Sequence, residues 1–167
     1  MLWWMYLLII LAVYCFLIAT LSLRNPEKHI DWSKQDLENL KFPSDFSWGV
    51  ATASHQIEGD NQNNWSQFES KQGLEASGAA CDHWNLWKAD FDLIEKLNVG
   101  HYRFSLEWSR VQPNEGEWDE AAIQQYSEMV DDLLTRNIEP MVTLHHFSHP
   151  IWFQDKGGFE VEANVED

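Results

Sequence analysis

An uncharged apolar run opens the chain and covers residues 2–23. As a helix rising about 1.5 Å per residue, it is long enough to cross the roughly 30 Å hydrocarbon layer of a membrane. Its side chains are apolar on every face, unlike those of an amphipathic helix that covers a core. We therefore predict a single-pass transmembrane helix over residues 1–24. A cleaved signal peptide is the alternative, although the run lacks a preceding basic region and exceeds the usual apolar length.

The residues after this run are polar and indicate a tether over residues 25–41, where Pro26 stops the helix from continuing. Three basic residues, Arg24, Lys28 and Lys34, follow the run, and the positive-inside rule would then keep the rest of the chain cytoplasmic. Acidic residues lie among them, and only the α-amino group carries positive charge on the other side. The orientation in the membrane therefore stays open.

Short apolar runs alternate with amphipathic ones over residues 42–167. The short runs predict parallel β-strands at residues 46–51, 102–106 and 139–144. Between the strands, apolar residues recur at spacings of three and four, which predicts two amphipathic helices. The predicted buried positions are Trp84, Trp87, Phe91, Ile94 and Leu97 in the first helix and Ala122, Tyr126, Met129, Val130, Leu133 and Leu134 in the second. The order of elements predicts an α/β fold with a parallel sheet and right-handed crossovers that place both helices outside.

The connecting segments also carry signals. We predict that Asp82 caps the first of the two helices. A polar loop is predicted over residues 61–81, and long loops on a rigid scaffold usually belong to the functional face. A Gly-Gly pair then breaks the chain before residues 161–167, where another helix is expected to begin.

Composition narrows the classes of partner. The 27 acidic and 11 basic residues give a net charge of −16, which argues against nucleic acid and opposes binding to an anionic membrane face. The ten tryptophans offer aromatic faces that can stack on sugars, although most tryptophans fill cores and interfaces. The two cysteines, Cys15 and Cys81, imply no disulfide framework.

Three motifs follow one another in the chain: residues 48–53 with Gln56-Ile57-Glu58-Gly59, residues 101–110, and residues 142–146. The second, His-Tyr-Arg-Phe-Ser-Leu-Glu-Trp-Ser-Arg, is the most specific. Together they resemble the opening of the family 1 glycoside hydrolases of the β-glucosidase type. The resemblance implies that residues 42–167 form the N-terminal portion, about three βα units, of a (β/α)8 TIM barrel that in full needs about 250 residues. We therefore expect a truncated barrel, preceded by the transmembrane helix.

The resemblance also implies roles for three residues. Gln56 and His146 match family residues that hydrogen-bond sugar hydroxyls, and an amide suits this task because it offers both a donor and an acceptor. Arg103 matches the arginine that contacts and orients the nucleophilic carboxylate. The family's two catalytic glutamates follow its fourth strand and end its seventh, so neither is expected in this chain. Glu58 and Glu107 are not catalytic matches, and Glu58 is expected to be a structural hydrogen-bond partner.

The segment after the third predicted strand departs from the commonest family pattern. Phe147 stands where tryptophan is usual, and Ser148-His149 stand where Asp-Leu precedes the retained Pro150. This departure affects the expected substrate preference more than the fold or the reaction. The histidines here also suggest a zinc site, but zinc needs three or four convergent ligands and no carboxylate is clearly placed. We expect no metal and no cofactor.

Three functions stay open on the sequence. The first is hydrolysis of β-linked glycosides or oligosaccharides by a retaining mechanism, in which this chain supplies part of the sugar-binding subsite. The second is a catalytically inactive, membrane-tethered fragment that binds carbohydrate or another partner. The third is a different barrel enzyme, such as a metal-dependent hydrolase that uses the histidines. We favour the first for the parent protein and expect the chain alone to be inactive, because a retaining reaction needs two carboxyls about 5 Å apart.

Overall fold

Two compact units divide the chain between residues 44 and 45. The computed structural model describes residues 3–26, 29–34, 36 and 39–165. The first unit contains helix α1 (Trp3–Arg24) and a 3-10 turn at Trp32–Lys34. Residues 27, 28, 35, 37 and 38 of the predicted tether lie outside the described residues, and with them one of the basic residues that bears on orientation.

Helix α1 lies where the apolar run predicted a helix. It has 22 residues, and none of its described side chains is buried. Its length and composition are sufficient to cross a membrane, and a signal sequence near an N-terminus has the same two properties.

The second unit is built on a three-stranded parallel sheet in the order β1–β2–β3. The strands are β1 (Gly49–Ala51), β2 (His101–Ser105) and β3 (Glu139–Thr143). The helices are α2 (Ser54–Ile57), α3 (Asn64–Gln72), α4 (His83–Lys96), α5 (Trp108–Val111), α6 (Glu120–Thr135) and α7 (Ile151–Asp155). Ala51 at the end of β1 pairs with Arg103, and Ser105 at the end of β2 pairs with Thr143 at the end of β3. The carboxyl ends of β2 and β3 are therefore level with each other.

One face of the sheet carries the hydrophobic core. Tyr102 and Phe104 point from β2 into a cluster with side chains of α4 and α6, because alternate residues of a strand face the same side. The ring of Phe91 on α4 lies 5.7 Å from the ring of Tyr102, edge to face. Met129 and Leu133 on α6 are almost fully buried in the same cluster. The predicted parallel sheet with both long helices on one face is confirmed.

Several local predictions were wrong. The predicted loop over residues 61–81 contains the nine-residue helix α3, which begins at a capping box between Asn63 and Ser66 and ends at Gly73 in a left-handed conformation. Leu97 and Leu134, predicted to be buried, are exposed.

Other differences concern shorter elements. Strand β1 is half as long as predicted, and α7 was not predicted. Residues 162–164 form a 3-10 turn where a helix was expected to start, and residues 166 and 167 lie outside the described residues. Asp82 precedes α4 but adopts a positive φ of 54° and makes no capping bond. Its carboxylate instead accepts a 2.6 Å hydrogen bond from the side chain of Asn85.

Candidate active site

The face of the sheet opposite the core is open and carries Arg103. A cleft of about 650 Å³ runs along this face. Its lining residues are Ser47, Gly49, Val50, Ala51, His101, Arg103 and Met141. In a closed barrel the face that carries Arg103 would line the interior, because Arg103 alternates with the core residues Tyr102 and Phe104.

Arg103 lies in the middle of β2. It is the third of the five strand residues and is level with the last residue of β1. The side chain is exposed, and no carboxylate of the described residues pairs with its guanidinium. A carboxylate approaching from the open face therefore meets a cation without a competing partner.

Gln56 and His146 lie in the segments that follow β1 and β3. Gln56 is exposed in the short helix α2, and His146 is half-buried three residues after β3. The ring of His146 lies 5.3 Å from that of Phe147, edge to face. Within the described part of the chain, no hydrogen bond joins Gln56, Arg103 and His146 to one another. Gln56 and His146 follow the carboxyl ends of β1 and β3, and Arg103 is level with the end of β1.

Glu107 is the centre of a buried polar network beneath these segments. It follows β2 and is fully buried. Its Oε1 accepts from the hydroxyl of Ser109 at 2.8 Å and from the Ser109 backbone N–H at 3.3 Å. Its Oε2 accepts from the hydroxyl of Ser54 at 3.1 Å, from the amide of Asn63 at 3.1 Å and from the hydroxyl of Ser148 at 3.0 Å. Five donors thus satisfy one carboxylate, as burial of this charge requires.

Glu58 forms a second buried centre next to the first. Its Oε1 accepts from the phenol of Tyr126 at 2.7 Å, and its Oε2 accepts from Arg110 Nε at 3.2 Å. The Arg110 guanidinium also donates to the Gly59 carbonyl at 2.8 Å and lies 4.1 Å from the ring centroid of Trp84. The prediction that Glu58 is a structural hydrogen-bond partner is confirmed.

Burial raises the pKa of Glu58 to about 7, against the lowering effect of the hydrogen bond from Tyr126 and of the charge on Arg110. The nearby negative charge of Glu107 adds to the rise. Burial of this kind disfavours the ionised form of a carboxyl group because the protein interior solvates charge less well than water does.

Comparison with known proteins shows which family this chain belongs to. Residues 38–167 match the model of the family described as glycosyl hydrolase family 1. The chain belongs to glycosyl hydrolase family 1. Beta-glucosidase A of Thermotoga maritima is 42% identical over 130 residues, which are 71% of this chain and 29% of that protein.

Solved structures of family 1 enzymes agree with this assignment. A β-glycosidase from Pyrococcus horikoshii has 48% sequence identity and a TM-score of 0.72, over 76% of this chain and 30% of that chain. The β-glucosidase of Thermotoga maritima in complex with deoxynojirimycin has 40% identity and a TM-score of 0.68, over 72% of this chain and 30% of that chain. The three parallel strands and their helices are thus part of a family 1 TIM barrel. The present chain spans less than a third of the length of each of these relatives.

The segment that departs from the common family 1 pattern is tied into the polar network. Phe147 has a positive φ of 64°, and its carbonyl accepts the indole N–H of Trp65 at 3.1 Å. Ser148, at the position usually held by aspartate, donates to Glu107. The ring of His149 stacks 6.0 Å from that of His145, and its Nε2 lies 2.8 Å from Gln154 Oε1.

The described residues contain no group of three histidine, cysteine, aspartate or glutamate side chains that could hold a metal ion. The zinc hypothesis therefore gains no support from His145, His146 and His149. Burial lowers the pKa of His145, and the neighbouring His149 acts in the same direction.

Sequence reasoning missed the central position of Glu107. Its partners Ser54 and Ser148 lie 53 and 41 residues away along the chain, so no local spacing reveals them. The one local signal is the Glu-x-Ser spacing, in which Glu107 caps helix α5 through Ser109 N–H. The Asn63-x-x-Ser66 pair was a second available signal, since it has the reciprocal spacing of a capping box.

Proposed function

We propose that the protein containing this chain hydrolyses the O-glycosidic bond of β-linked glycosides or oligosaccharides with retention. The observation that carries the proposal is the exposed Arg103 guanidinium on the open face of a family 1 sheet, level with the end of β1 and without an ion-pair partner among the described residues. Gln56 and His146 lie in the segments that follow the neighbouring strands. Parallel barrels bind their substrates at this end of the strands.

Each of the three residues has a distinct task in this proposal. The Gln56 amide donates to one sugar hydroxyl and accepts from its neighbour, and the His146 imidazole donates to another. The Arg103 guanidinium holds the nucleophilic carboxylate by hydrogen bonds and favours its ionised form, which is the form that attacks the sugar. These contacts orient the glycosidic bond toward the reacting carboxylates.

The two reacting carboxylates are supplied, in this proposal, by segments outside the present sequence. A retaining enzyme needs a nucleophile and an acid/base about 5 Å apart, both in contact with the sugar. Glu58 and Glu107 do not fit either role, because both are buried and each oxygen is already bonded to protein donors. This chain then contributes one part of the sugar-binding subsite.

We also propose that α1 anchors the protein in a membrane as a single span. Its length and its largely apolar composition, with Arg24 as the last residue, support an anchor, and a single apolar segment of this length spans a bilayer stably. The positive-inside rule applied to Arg24 and Lys34 favours a cytoplasmic position for the barrel.

The test uses the natural protein purified from its own membranes in detergent. Its intact mass gives the length of the chain, and calorimetry with deoxynojirimycin measures sugar-site binding. Binding together with hydrolysis of an aryl β-glucoside supports the proposal. Binding without hydrolysis, in a protein of 19.6 kDa, supports the carbohydrate-binding fragment instead. Absence of both binding and hydrolysis overturns the sugar-site assignment.

A further inference from the structure

Gln56 and His146, the two proposed sugar contacts, follow β1 and β3, the two strands that flank β2. They must be held at a fixed separation to contact one sugar, and the buried Glu107 network connects their segments. Resting on the function proposed above, we infer that Glu107 is a positioning residue that sets the position of Gln56 relative to His146. Glu107 does not reach the sugar, since it is fully buried. It acts through the segments that its carboxylate joins.

The carboxylate of Glu107 connects three segments at the carboxyl end of the sheet. Ser54 belongs to the segment after β1, Ser109 to the one after β2, and Ser148 to the one after β3. Asn63, the cap of α3, is the fourth residue that donates to it. A single Glu107 side chain therefore links segments that are far apart in sequence, in addition to the isolated antiparallel bridge between Asn63 and Pro150.

The sugar-contacting residues are close in sequence to these links. Ser54 is the first residue of α2, and Gln56 is the third. The backbone N–H of Ser54 also donates to the hydroxyl of Ser105 at 2.8 Å, which fixes the start of the same helix to the end of β2. On the other side, His146 precedes Ser148 by two residues. A shift of either serine would move its sugar-contacting neighbour.

The chemistry of the carboxylate makes this arrangement specific. An ionised carboxylate only accepts hydrogen bonds, so each hydroxyl around it has to turn its hydrogen inward. No lysine, arginine or histidine of the described residues forms an ion pair with Glu107, and the donors that contact its carboxylate are hydroxyl, amide and backbone N–H groups. Desolvation of a buried charge is costly, and the hydrogen bonds around it offset part of that cost.

The residue usual in the family at position 148 suggests a second test of the hydrogen bond between Ser148 and Glu107. In the commonest pattern an aspartate occupies position 148, whereas here a serine stands there and donates to Glu107 at 3.0 Å. Exchanging the two groups, with Glu107→Ser and Ser148→Asp together, returns one carboxylate to the same buried space. The exchanged pair therefore tests whether the carboxylate itself, and not the glutamate side chain, positions the two segments.

Two serines provide a matched comparison. Ser148 and Ser109 are both buried, and each donates its hydroxyl to Glu107. Only Ser148 links different segments, since Ser109 lies two residues from Glu107 in the same one. Removing either hydroxyl takes one donor from the carboxylate, but only Ser148→Ala removes a hydrogen bond between Glu107 and the segment that carries His146. The bonds that Asn64 and Trp65 make to this segment remain in both variants.

The experiment measures deoxynojirimycin binding by calorimetry and KM and kcat for an aryl β-glucoside on the full-length natural protein. We expect Ser148→Ala to raise the dissociation constant and KM roughly tenfold with a smaller change in kcat, as loss of a charge-assisted hydrogen bond predicts. Ser109→Ala should change the dissociation constant less than about twofold. Its melting temperature should fall by about as much as that of Ser148→Ala, because each variant loses one buried hydrogen bond. Amide exchange of residues 144–149 should accelerate in Ser148→Ala and not in Ser109→Ala.

The remaining outcomes separate this inference from the proposed function. Equal binding losses in Ser148→Ala and Ser109→Ala, with normal binding by the unmodified protein, overturn the positioning role and leave the function intact. Failure of the unmodified protein to bind or hydrolyse overturns the function. The double exchange Glu107→Ser with Ser148→Asp should recover binding that Glu107→Ser alone loses, and a folded double variant without recovery contradicts the role of the carboxylate.

Discussion

The phenol of Tyr126 donates a 2.7 Å hydrogen bond to Glu58 Oε1, and the same phenol oxygen accepts the backbone N–H of Glu107 at 2.9 Å. Tyr126 belongs to helix α6 on the outer face of the sheet, whereas both glutamates belong to segments that follow strands. The outer helix is thereby bonded directly to the polar layer under the candidate site. Protonation of Glu58 is coupled to the folding of this layer.

Stability should fall as pH rises through the range in which Glu58 ionises. Its folded pKa of about 7 lies above its ordinary value of 4.5, so its contribution is complete below pH 4.5 and is lost as pH rises to about 7. With about 1.4 kcal/mol per pKa unit, the loss is about 3 kcal/mol. Urea unfolding between pH 4.5 and 8 should show this decline in the unmodified protein and a flatter profile for Glu58→Gln.

An exposed glutamate on the same helix as Tyr126 provides the control. Glu128→Gln changes an exposed carboxyl that accepts a 3.2 Å hydrogen bond from the side chain of Gln124, and this variant should keep the decline. A parallel pH profile for Glu58→Gln and the unmodified protein would contradict the coupling.

Gly59 is required where it stands because a side chain has no room there. Its φ is 87°, and a Cβ atom would lie 2.2 Å from the carbonyl oxygen of Ala79. Gly73 also has a positive φ, of 65°, but a Cβ atom there would meet nothing within 4 Å. Gly73→Ala should therefore cost roughly 1–2 kcal/mol from backbone strain alone, and Gly59→Ala clearly more because backbone must move. Urea unfolding of both variants measures the difference in the free energy of unfolding. Equal decreases would show that the Ala79 backbone can shift at little energetic cost.

The helices and strands of the second unit were largely predictable because their signals are local. The stripe that includes Trp87 and Phe91 recurs at helical spacing, and so does the stripe that includes Met129 and Leu133. The apolar runs around Tyr102 and Val142 predicted two adjacent parallel strands. These hydrophobic patterns depend only on whether a residue lies on the buried or the exposed face of its own helix or strand, so the local sequence is sufficient to predict them.

The candidate site was predictable only in part. Gln56, Arg103 and His146 were found through family motifs, and their proposed roles stay predictions. The Glu107 network was not predicted because three of its five hydrogen bonds join residues 41 to 53 positions apart, and periodicity contains no information on such pairs. Helix α3 was missed for a related reason, since two short caps at Asn63 and Gly73 stabilise a helix of polar composition.

Removal of the Gln56 amide should impair sugar binding without unfolding the protein. Gln56 is exposed in α2, so Gln56→Ala removes little buried surface. We expect kcat/KM for an aryl β-glucoside to fall by the equivalent of several kcal/mol, since the amide contacts would strengthen in the transition state. Gln124→Ala, an exposed glutamine on α6, should leave kcat/KM unchanged. Unchanged kinetics in Gln56→Ala would remove Gln56 from the sugar-binding subsite.

Loss of the Arg103 charge should change the pH profile of the reaction. A guanidinium beside a carboxylate lowers the carboxylate pKa by about 1–3 units, so Arg103→Met should shift the acidic limb of the kcat/KM profile upward. Arg103→Lys keeps the charge but not the planar donor pair and should shift the limb less. Arg136→Lys is the control, since Arg136 forms ion pairs with Asp92, Glu95 and Asp132. This substitution can change the stability of the protein, but it should leave the acidic limb of the kcat/KM profile in place. An unshifted limb in Arg103→Met would show that Arg103 does not act on the nucleophile.

The role of α1 can be tested with one pair of isoleucines. Ile10 lies within α1, and Ile30 lies in the polar segment that follows, and both are exposed. A charge near the middle of a membrane span costs roughly 2.5–3.5 kcal/mol of insertion free energy on the translocon scale, whereas a charge outside the span costs little. We therefore expect Ile10→Asp to move a large fraction of the protein from the alkaline-washed membrane pellet to the supernatant, and Ile30→Asp to leave it in the pellet.

The mass of the mature protein decides between an anchor and a signal sequence: an anchor keeps residues 1–24 in the pelleted protein, whereas a cleaved signal removes them. A mature protein that lacks these residues, or one that washes off the membrane without any substitution, would end the anchor proposal.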